Sequence, residues 1–561
     1  MPVFQSRAPR VAALVLVGLK LWLVAAQPVC AIGDSSLDDR LFVRLAGTIL
    51  GGQWLGPYTE ATLAKGPAFP VFIATTVLAG IPLPLAQHLL YLFACWLVVR
   101  ATRDLLPHDG WALGLFTVLW WQPMSFDVSV LGRVLRQNIY TPTGLLVFAG
   151  LAALHTRATA PRGIRSGWAI LLGLAFAALW LTREESAWIV PSGVLLVSAA
   201  VGFERRKSRW RWQGLWPVGV AAFAATVPIL TVAGLNRAKY GWFGTVEFRA
   251  PEFIAAYGAL NRVQIGAPVD YVPLTHASRL ALYEVSPSFR ELQPFLEGQA
   301  AIAWSEFSAG ATRRDPAQRE IAGGWWMWAL RAATASAGHA HSAAEALVFY
   351  QRLADEVNAA CDEKKIPAGP PRATLFPPWH PEYTARFFRD LPGYCGYFLT
   401  GEGFSARTPN SSGNAATLRL FRDLTQWPLS HSDEAPELDV HVSAGARRVR
   451  MAVLQLIGTV LRPAATGLIL AGGIAWVWSL GAAVRGRTIP GYRWWFATAA
   501  LMATGAVVLI NFLIHISSFL NLSPGAFAQA YPLILLFAVM AVADASMRRA
   551  AGRRLDTQGH R

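Results

Sequence analysis

The stretch GWAILLGLAFAALWLTREESAWIVPSGVLLVSAAVGFERRKSRWRW, residues 167–212, decides the fold. It holds two apolar runs, Gly167 to Leu181 and Ala187 to Gly202, each approaching the roughly 20 residues that carry a helix across a bilayer. Between them stand Arg183, Glu184 and Glu185, and after the second comes ERRKSRWRW at 204–212. Loops rich in Lys and Arg stay on the cytoplasmic side of a membrane. The basic cluster is therefore predicted to be cytoplasmic, and the two runs form a helical pair that turns on the opposite face, at Arg183 to Glu185.

The same pattern runs through the chain. Of 561 residues, 54% are hydrophobic and only 15% charged, against about 25% charged in soluble domains. The net charge of +16 comes from residues at the ends of apolar runs: Arg7 and Arg10, Arg100 and Arg103, Arg157 to Arg165, Arg205 to Arg211, Arg485 to Arg493 and Arg548 to Arg561. These lie on separate short loops and form no continuous patch, so they are read as topology signals and nucleic acid is excluded as a partner.

Working back from 204–212, HTRATAPRGIRS at 155–166 is inside, WQPMSFDVSVLGRVLRQNIY at 121–140 outside, RATRD at 100–104 inside, and residues 34–66 outside. Parity allows one crossing between 66 and 100. It is assigned to Leu83 to Val99, leaving Pro67 to Gly80 as a juxtamembrane helix. The first run, Val11 to Ala26, is read as a retained helix rather than a cleaved signal peptide, with Lys20 in its middle facing other helices or snorkelling. A seventh span near Gly214 to Leu235 leads into a long polar segment, and three spans follow near Pro463 to Val484, Trp494 to Ile514 and Ala526 to Ala543. The expectation is an all-α polytopic membrane protein with about ten transmembrane helices and a large, mainly helical extracytoplasmic domain inserted before the last three. Its parts are a transmembrane module at 1–235, the polar domain at 236–447, a second transmembrane module at 448–545 and a basic cytoplasmic tail at 546–561. Both termini are cytoplasmic, and the location is a bacterial inner membrane.

Within the polar segment, Leu347, Tyr350, Leu353, Val357 and Cys361 share one face of a helix. Ser342 and Glu345 have the spacing of a capping box at its start. GGWWMWALRAATASAG at 323–338 reads as a second helix ended by glycine, and PAGPPRATLFPPWHPEY at 367–383 as a proline-rich loop. Cys361 and Cys395 share this segment, and outside the cytoplasm they have the choice of a disulfide or of two separate buried thiols. The histidines, in GHAHS at 338–342 and at His380, His431 and His441, are scattered, and no metal site is read from them.

Four groups of charges fall on the predicted outer face. Thr182 and Glu185 have capping-box spacing, which accounts for half of TREES and leaves Arg183 and Glu184 over. GDSSLDDRLFVRLAG at 33–47 carries Asp34, Asp38 and Asp39 ahead of an amphipathic stretch; the adjacent Asp38 and Asp39 point different ways on a helix, so one of them at most faces a given site. TLAKGPAFP at 62–70 puts Lys65 before the juxtamembrane helix, and Asp127, Arg133 and Arg136 occupy the second outer loop. Carboxylates able to move protons and cations able to hold phosphate thus collect above an apolar bundle. There is no G-x-S-x-G, H-E-x-x-H or Walker loop.

In its first 235 residues the chain resembles the GT-C superfamily of multi-pass glycosyltransferases, which includes protein O-mannosyltransferases and an aminoarabinose transferase. The resemblance rests on DDR at 38–40 in the first outer loop, AKGPAFP at 64–70 as a Lys/His-x-Pro-Pro-like entry, and acidic Asp127 in the second outer loop. It implies a polyprenyl-phosphate sugar donor, with Asp38 or Asp39 as the base that deprotonates the acceptor. It implies Lys65, Arg133, Arg136 and Arg183 around the donor phosphate, and Asp34, Asp127, Glu184 and Glu185 orienting sugar or acceptor. The partners it implies are membrane lipid and a glycan, lipid or protein acceptor; no cofactor is assigned, and metal dependence varies across the superfamily. An O-antigen ligase or polymerase also fits, with ARRVR at 446–450 and Arg462 on its donor, although Arg447 to Leu461 reads better as an interfacial helix. A receptor or assembly protein is the non-enzymatic alternative. A transporter fits less well, since the charges sit at run ends and no half of the chain repeats the other.

Overall fold

A computed structural model describes residues 4–206, 215–438 and 444–559. Most of the 204–212 basic cluster, and His441, lie outside them. Among the described residues the chain forms helices, turns and three isolated β-bridges, with no strand. Eight helices are long and apolar enough to cross a membrane: Leu83–Leu105, Gln137–Thr156, Arg162–Trp180, Ser186–Phe203, Trp216–Tyr240, Gly445–Arg485, Tyr492–Ser517 and Ala530–Ala550. This is an all-α polytopic membrane protein.

We label the N-terminal helices α1 (Arg7–Val24), α2 (Asp39–Leu50), α3 (Ala68–Leu78), α4 (Leu83–Thr102), α5 (Asp109–Trp121), α6 (Gln137–Thr156), α7 (Arg162–Trp180), α8 (Ile189–Arg206) and α9 (Trp216–Tyr240). The two expected spans missing from the eight are α1 and α5. α1 carries Arg7, Arg10 and Lys20 within 18 residues, and the 13 residues of α5 reach only about 20 Å at 1.5 Å per residue. Both still pack against the bundle. Lys20 is fully buried: its Nζ donates to Trp120 O at 2.5 Å and Ser125 Oγ at 2.6 Å and lies 4.1 Å from the Trp120 ring centre. It faces other helices and does not snorkel.

Two helices form the centre. The membrane windows of α6 and of Ala530–Ala550 are each 83% buried, against 28–44% for the other six. Close approach between helices comes from small residues where lipid removes the hydrophobic incentive to associate. At Gly173 of α7 a Cβ would lie 2.2 Å from Ala221 O of α9. One expected boundary is overturned: Arg447 to Leu461 is no separate interfacial helix, because Ala444–Arg485 runs unbroken for 42 residues, through Pro463.

The polar segment between α9 and Ala444 is built on more than one core. Residues 246–366 share a buried cluster, joined by Ala64, in which Trp326, Tyr257 and Tyr350 are nearly solvent-free. Helix Pro381–Thr400 instead packs through Tyr394 and Phe398 on the bundle, and helix Ala415–Thr425 packs through Leu418 and Phe421 on α2 and α3. The helix predicted from the 347–361 periodicity is Ala343–Asp362, with all five of its expected face residues buried. Ser342 Oγ caps it by accepting from Glu345 N at 3.2 Å, while the Glu345 carboxylate reaches His341 N. Cys361 and Cys395 are both free thiols, so the disulfide is absent; Cys361 is buried in the 246–366 core and Cys395 sits on a helix that packs elsewhere.

Candidate functional site

Glycine brings two distant pieces of chain together. Gly66 lies flat against the turn after α7: a Cβ there would sit 2.0 Å from Leu181 O, and Ala68 N donates to the same oxygen at 3.2 Å. This contact sets Lys65 beside the TREES turn. The Lys65 side chain, 7% exposed, pairs with Asp38, donates to Leu37 O at 2.5 Å, and lies between the rings of Phe42 and Trp328 at 5.2 and 5.5 Å. Burial pulls the Lys65 ammonium below its ordinary pKa, and Asp38 only partly opposes this.

Asp38 and Asp39 diverge, as neighbours at a helix start must. Asp39 opens α2 with its side chain fully buried and accepts a two-pronged bond from Arg133, at 3.2 Å from Nε and 2.5 Å from Nη2. Burial raises its carboxyl above the usual range, with the Arg133 guanidinium opposing. The Asp38 side chain keeps 49% of its surface exposed. Burial pushes its carboxyl up, but Lys65, Arg136 and Arg133 together bring it below the ordinary carboxylate range.

Arg136, just before α6, grips Glu184 through Nη1 at 2.7 and 2.8 Å and reaches Thr182 O at 3.2 Å. Burial raises the Glu184 carboxyl, and Arg136 more than offsets it, so the net direction is down. Arg183 pairs with Glu185 at 2.6 Å, its guanidinium 5.5 Å from the Tyr140 ring. The capping-box reading of Thr182 and Glu185 is overturned: Thr182 Oγ1 donates back to Ala178 O at 2.5 Å, and Glu185 turns to Arg183. Thr182 follows a helix end and so has no free backbone N–H of a first turn to cap.

Lys65, Arg133, Arg136 and Arg183 with Asp38, Asp39, Glu184 and Glu185 therefore form one cluster, drawn from three segments at the polar-domain end of the bundle. Two expected members stand apart. Asp34 is exposed, and among the described residues its side chain has no hydrogen-bond or ion-pair partner. Asp127 is fully buried and serves as a strut: Oδ1 accepts from Ser129 N at 2.8 Å and Oδ2 from Ser405 N at 2.8 Å, tying the second loop to the polar domain.

Comparison with known proteins finds no matching family model and no matching curated protein. Among solved structures, ArnT from Cupriavidus metallidurans bound to undecaprenyl phosphate is similar over 98% of this chain and 79% of that one, with 13% identity and a TM-score of 0.28.

One residue of the cluster escapes any reading of the sequence. Arg249, in a short turn of the polar domain, donates to Arg183 O at 2.7 Å and to Glu184 O at 2.8 and 3.1 Å, and its guanidinium lies 4.1 Å from the Trp180 ring. It satisfies carbonyls just past the end of α7, where the helix dipole favours a cation. Nearby, the turn that carries Arg249 is fixed by a fully buried pair, Arg331 with Glu247; Arg331 also donates to Glu60 O at 2.6 Å and Thr62 O at 2.8 Å, three residues before Lys65. Counting Arg249, five cations stand with four carboxylates, a formal net charge of +1. Among the described residues no group of three or more His, Cys, Asp or Glu is placed to hold a metal.

Proposed function

We propose that this protein is a membrane glycosyltransferase that moves a sugar from a polyprenyl-phosphate donor to an acceptor hydroxyl on the extracytoplasmic side of a bacterial inner membrane. The single observation that supports it is the convergence of Lys65, Arg133, Arg136 and Arg183 with Asp38 at one end of an apolar bundle, under the polar domain. Both termini and the basic loops then face the cytoplasm, and the region between α9 and Ala444 faces out, as positive-inside bias requires.

In this reading Asp38 is the base. It is the exposed carboxylate of the adjacent pair and is ionised at neutral pH, because Lys65 and two arginines hold its pKa down. It takes the proton of the acceptor hydroxyl as that oxygen bonds to the anomeric carbon, and the bond from that carbon to the phosphate oxygen breaks. The electron pair leaves with the lipid phosphate, whose charge Lys65, Arg136 and Arg183 stabilise. Asp39 acts at one remove, fixing Arg133.

The test is transfer of radiolabelled sugar from a polyprenyl-phosphate donor pool in membranes carrying each variant. Asp38→Asn is expected to lower transfer about 10²- to 10⁴-fold, the span of a positioned base. Asp39→Asn is expected to act mainly on stability, costing about 1.5–3 kcal/mol for charge-assisted bonds to Arg133. Full activity in Asp38→Asn, or no transfer by the unmutated protein across a wide donor panel, would remove the assignment.

A further inference from the structure

At the end of the bundle away from the charged cluster, α1 packs on α5 and on Ala444–Arg485, and between α1 and α4 stands a groove of about 510 Å³. Ala13 and Val17 line it from α1, Leu89, Phe93 and Trp96 from α4, and Phe116 from α5; of all its lining residues only Arg10 is polar. Leu14, also on its wall, is 71% exposed and Phe93 49%, so the groove opens sideways from the bundle, toward lipid. Its length suits one leaflet. Arg10 to Val17 and Leu89 to Trp96 each advance seven residues, about 10 Å at 1.5 Å per residue, within the roughly 15 Å of half a hydrocarbon core. Protein interiors are close-packed, so an apolar groove of this size within the bilayer takes an alkyl chain.

The mouth of the groove is built from the residues ahead of α1. Phe4 is 1% exposed, sets its ring edge-on to Trp96 with centroids 6.0 Å apart, and stops the groove at that end. Arg10 holds it there: Nε and Nη2 donate to Phe4 O at 3.0 and 2.8 Å, while Nη1 has no partner among the described residues. Asp109, the nearest carboxylate, is already occupied, accepting from Gln5 N at 2.7 Å, Ser6 N at 3.0 Å and Arg103 Nη2 at 2.7 Å. Arg7 is exposed and makes no ion pair among the described residues. Two guanidinium groups are thus left at the rim of an apolar slot.

We infer that this groove binds one anionic phospholipid of the cytoplasmic leaflet, its acyl chain between α1 and α4 and its phosphate against Arg7 and Arg10. Arginine suits phosphate through its forked donors, and basic residues at a membrane surface attract lipids of net negative charge. A zwitterionic lipid carries the same phosphate, but its own cation cancels the attraction. The site is separate from the donor cluster: from Arg10, α1 runs on past Lys20 toward the loop that holds Asp38, at the other end of the bundle. Only the choice of leaflet rests on the orientation given above.

The experiment photo-crosslinks the full-length protein in phosphatidylcholine nanodiscs doped with phosphatidylglycerol that carries a diazirine in one acyl chain, and locates the adducts by mass spectrometry. Phosphatidylcholine with the same label is the comparison. Both faces of a nanodisc hold the same lipids, so the result does not depend on which end of the protein is cytoplasmic. Labelled phosphatidylglycerol should mark Arg10–Val17 and Leu89–Trp96 more densely than the exposed face of α9 at Phe223 and Leu230, and should mark the groove about fivefold or more above labelled phosphatidylcholine. Arg7→Gln should cut the phosphatidylglycerol adducts about fivefold, the worth of one arginine beside anionic lipid, and leave the phosphatidylcholine adducts as they were. Leu89→Trp, a larger side chain at an exposed position on the wall, should remove the excess labelling at Ala13–Val17, and a thermal melt of each variant checks that the fold is intact. Adducts no denser in the groove than on α9 would mean bulk lipid, and equal labelling by the two lipids would mean a groove that reads no headgroup. Either result overturns the inference, as does phosphatidylglycerol labelling that survives both Arg7→Gln and Leu89→Trp.

Discussion

Gly66→Ala is the sharpest perturbation, because it leaves every charge in place. The added Cβ would begin 2.0 Å from Leu181 O and 2.6 Å from Leu181 C, where ordinary contact starts at 3.4 Å. Both partners are backbone, so no side chain can rotate away; the two segments must part by about 1.4 Å, the difference between 3.4 and 2.0 Å. Overpacking of this kind costs about 1–3 kcal/mol. Its effect on chemistry should be larger than that suggests, since Lys65 and Asp38 ride on one segment and Arg183 and Glu184 on the other, and a misplacement of about 1 Å is worth about 10²-fold in rate. The expected outcome is transfer lowered about 10²-fold or more in a protein that still accumulates and melts only slightly early. Gly163→Ala is the control, having nothing within 4 Å of its Cβ position. Wild-type transfer and melting in Gly66→Ala would refute the idea that this backbone contact sets the site.

Arg249→Met should raise the donor KM and destabilise by about 1.5–3 kcal/mol, the worth of hydrogen bonds from a charged group, and Arg249→Lys should not restore it, because an ammonium lacks the fork that spans two carbonyls; steady-state kinetics and melting check both. Glu184 has a depressed pKa in the fold, so its pairing stabilises the protein above the unfolded carboxylate value of about 4.3 and is lost as pH falls through the folded one. The melting temperature of wild type minus that of Glu184→Gln should therefore hold steady from pH 7 to about 5 and shrink below about 4; a gap that widens in acid would reverse the assignment. All four cysteines are free thiols, so denatured protein should take up four alkyl groups without reductant, and a count of two would mean a disulfide.

What the sequence shows well is whatever depends on near neighbours. The helix at Ala343–Asp362 is legible because its cap and its buried face are set by residues three and four apart. Local spacing also misleads. Thr182-x-x-Glu185 has the same pattern as Ser342-x-x-Glu345, but one follows a helix end and the other precedes a helix start, and the pattern alone does not say which. The ionic cluster was legible as a gathering of charges on one face, without its pairings, because Arg133–Asp39 joins residues 94 apart and Arg136–Glu184 residues 48 apart. Asp127 enters the expected site through the resemblance, as the acidic residue of the second outer loop; its partner in the fold, Ser405, is 278 residues away and beyond the reach of any local pattern. Arg249 and Arg331 carried no signal, being single arginines in a polar region.

Lys20 has a consequence for how the protein is made. Its two hydrogen-bond acceptors belong to Trp120 and Ser125, 100 and 105 residues further along the chain. At about 5–20 residues per second, a ribosome needs roughly 5–20 s to deliver them. For that interval the first helix holds a lysine whose companions do not yet exist, in a place where a solitary charge is costly. The helix must wait at the edge of the bilayer, or beside the insertion machinery, until α5 arrives to receive it. The expected consequence is that α1 settles late, when α5 packs over Lys20, so that the order of insertion differs from the order of synthesis.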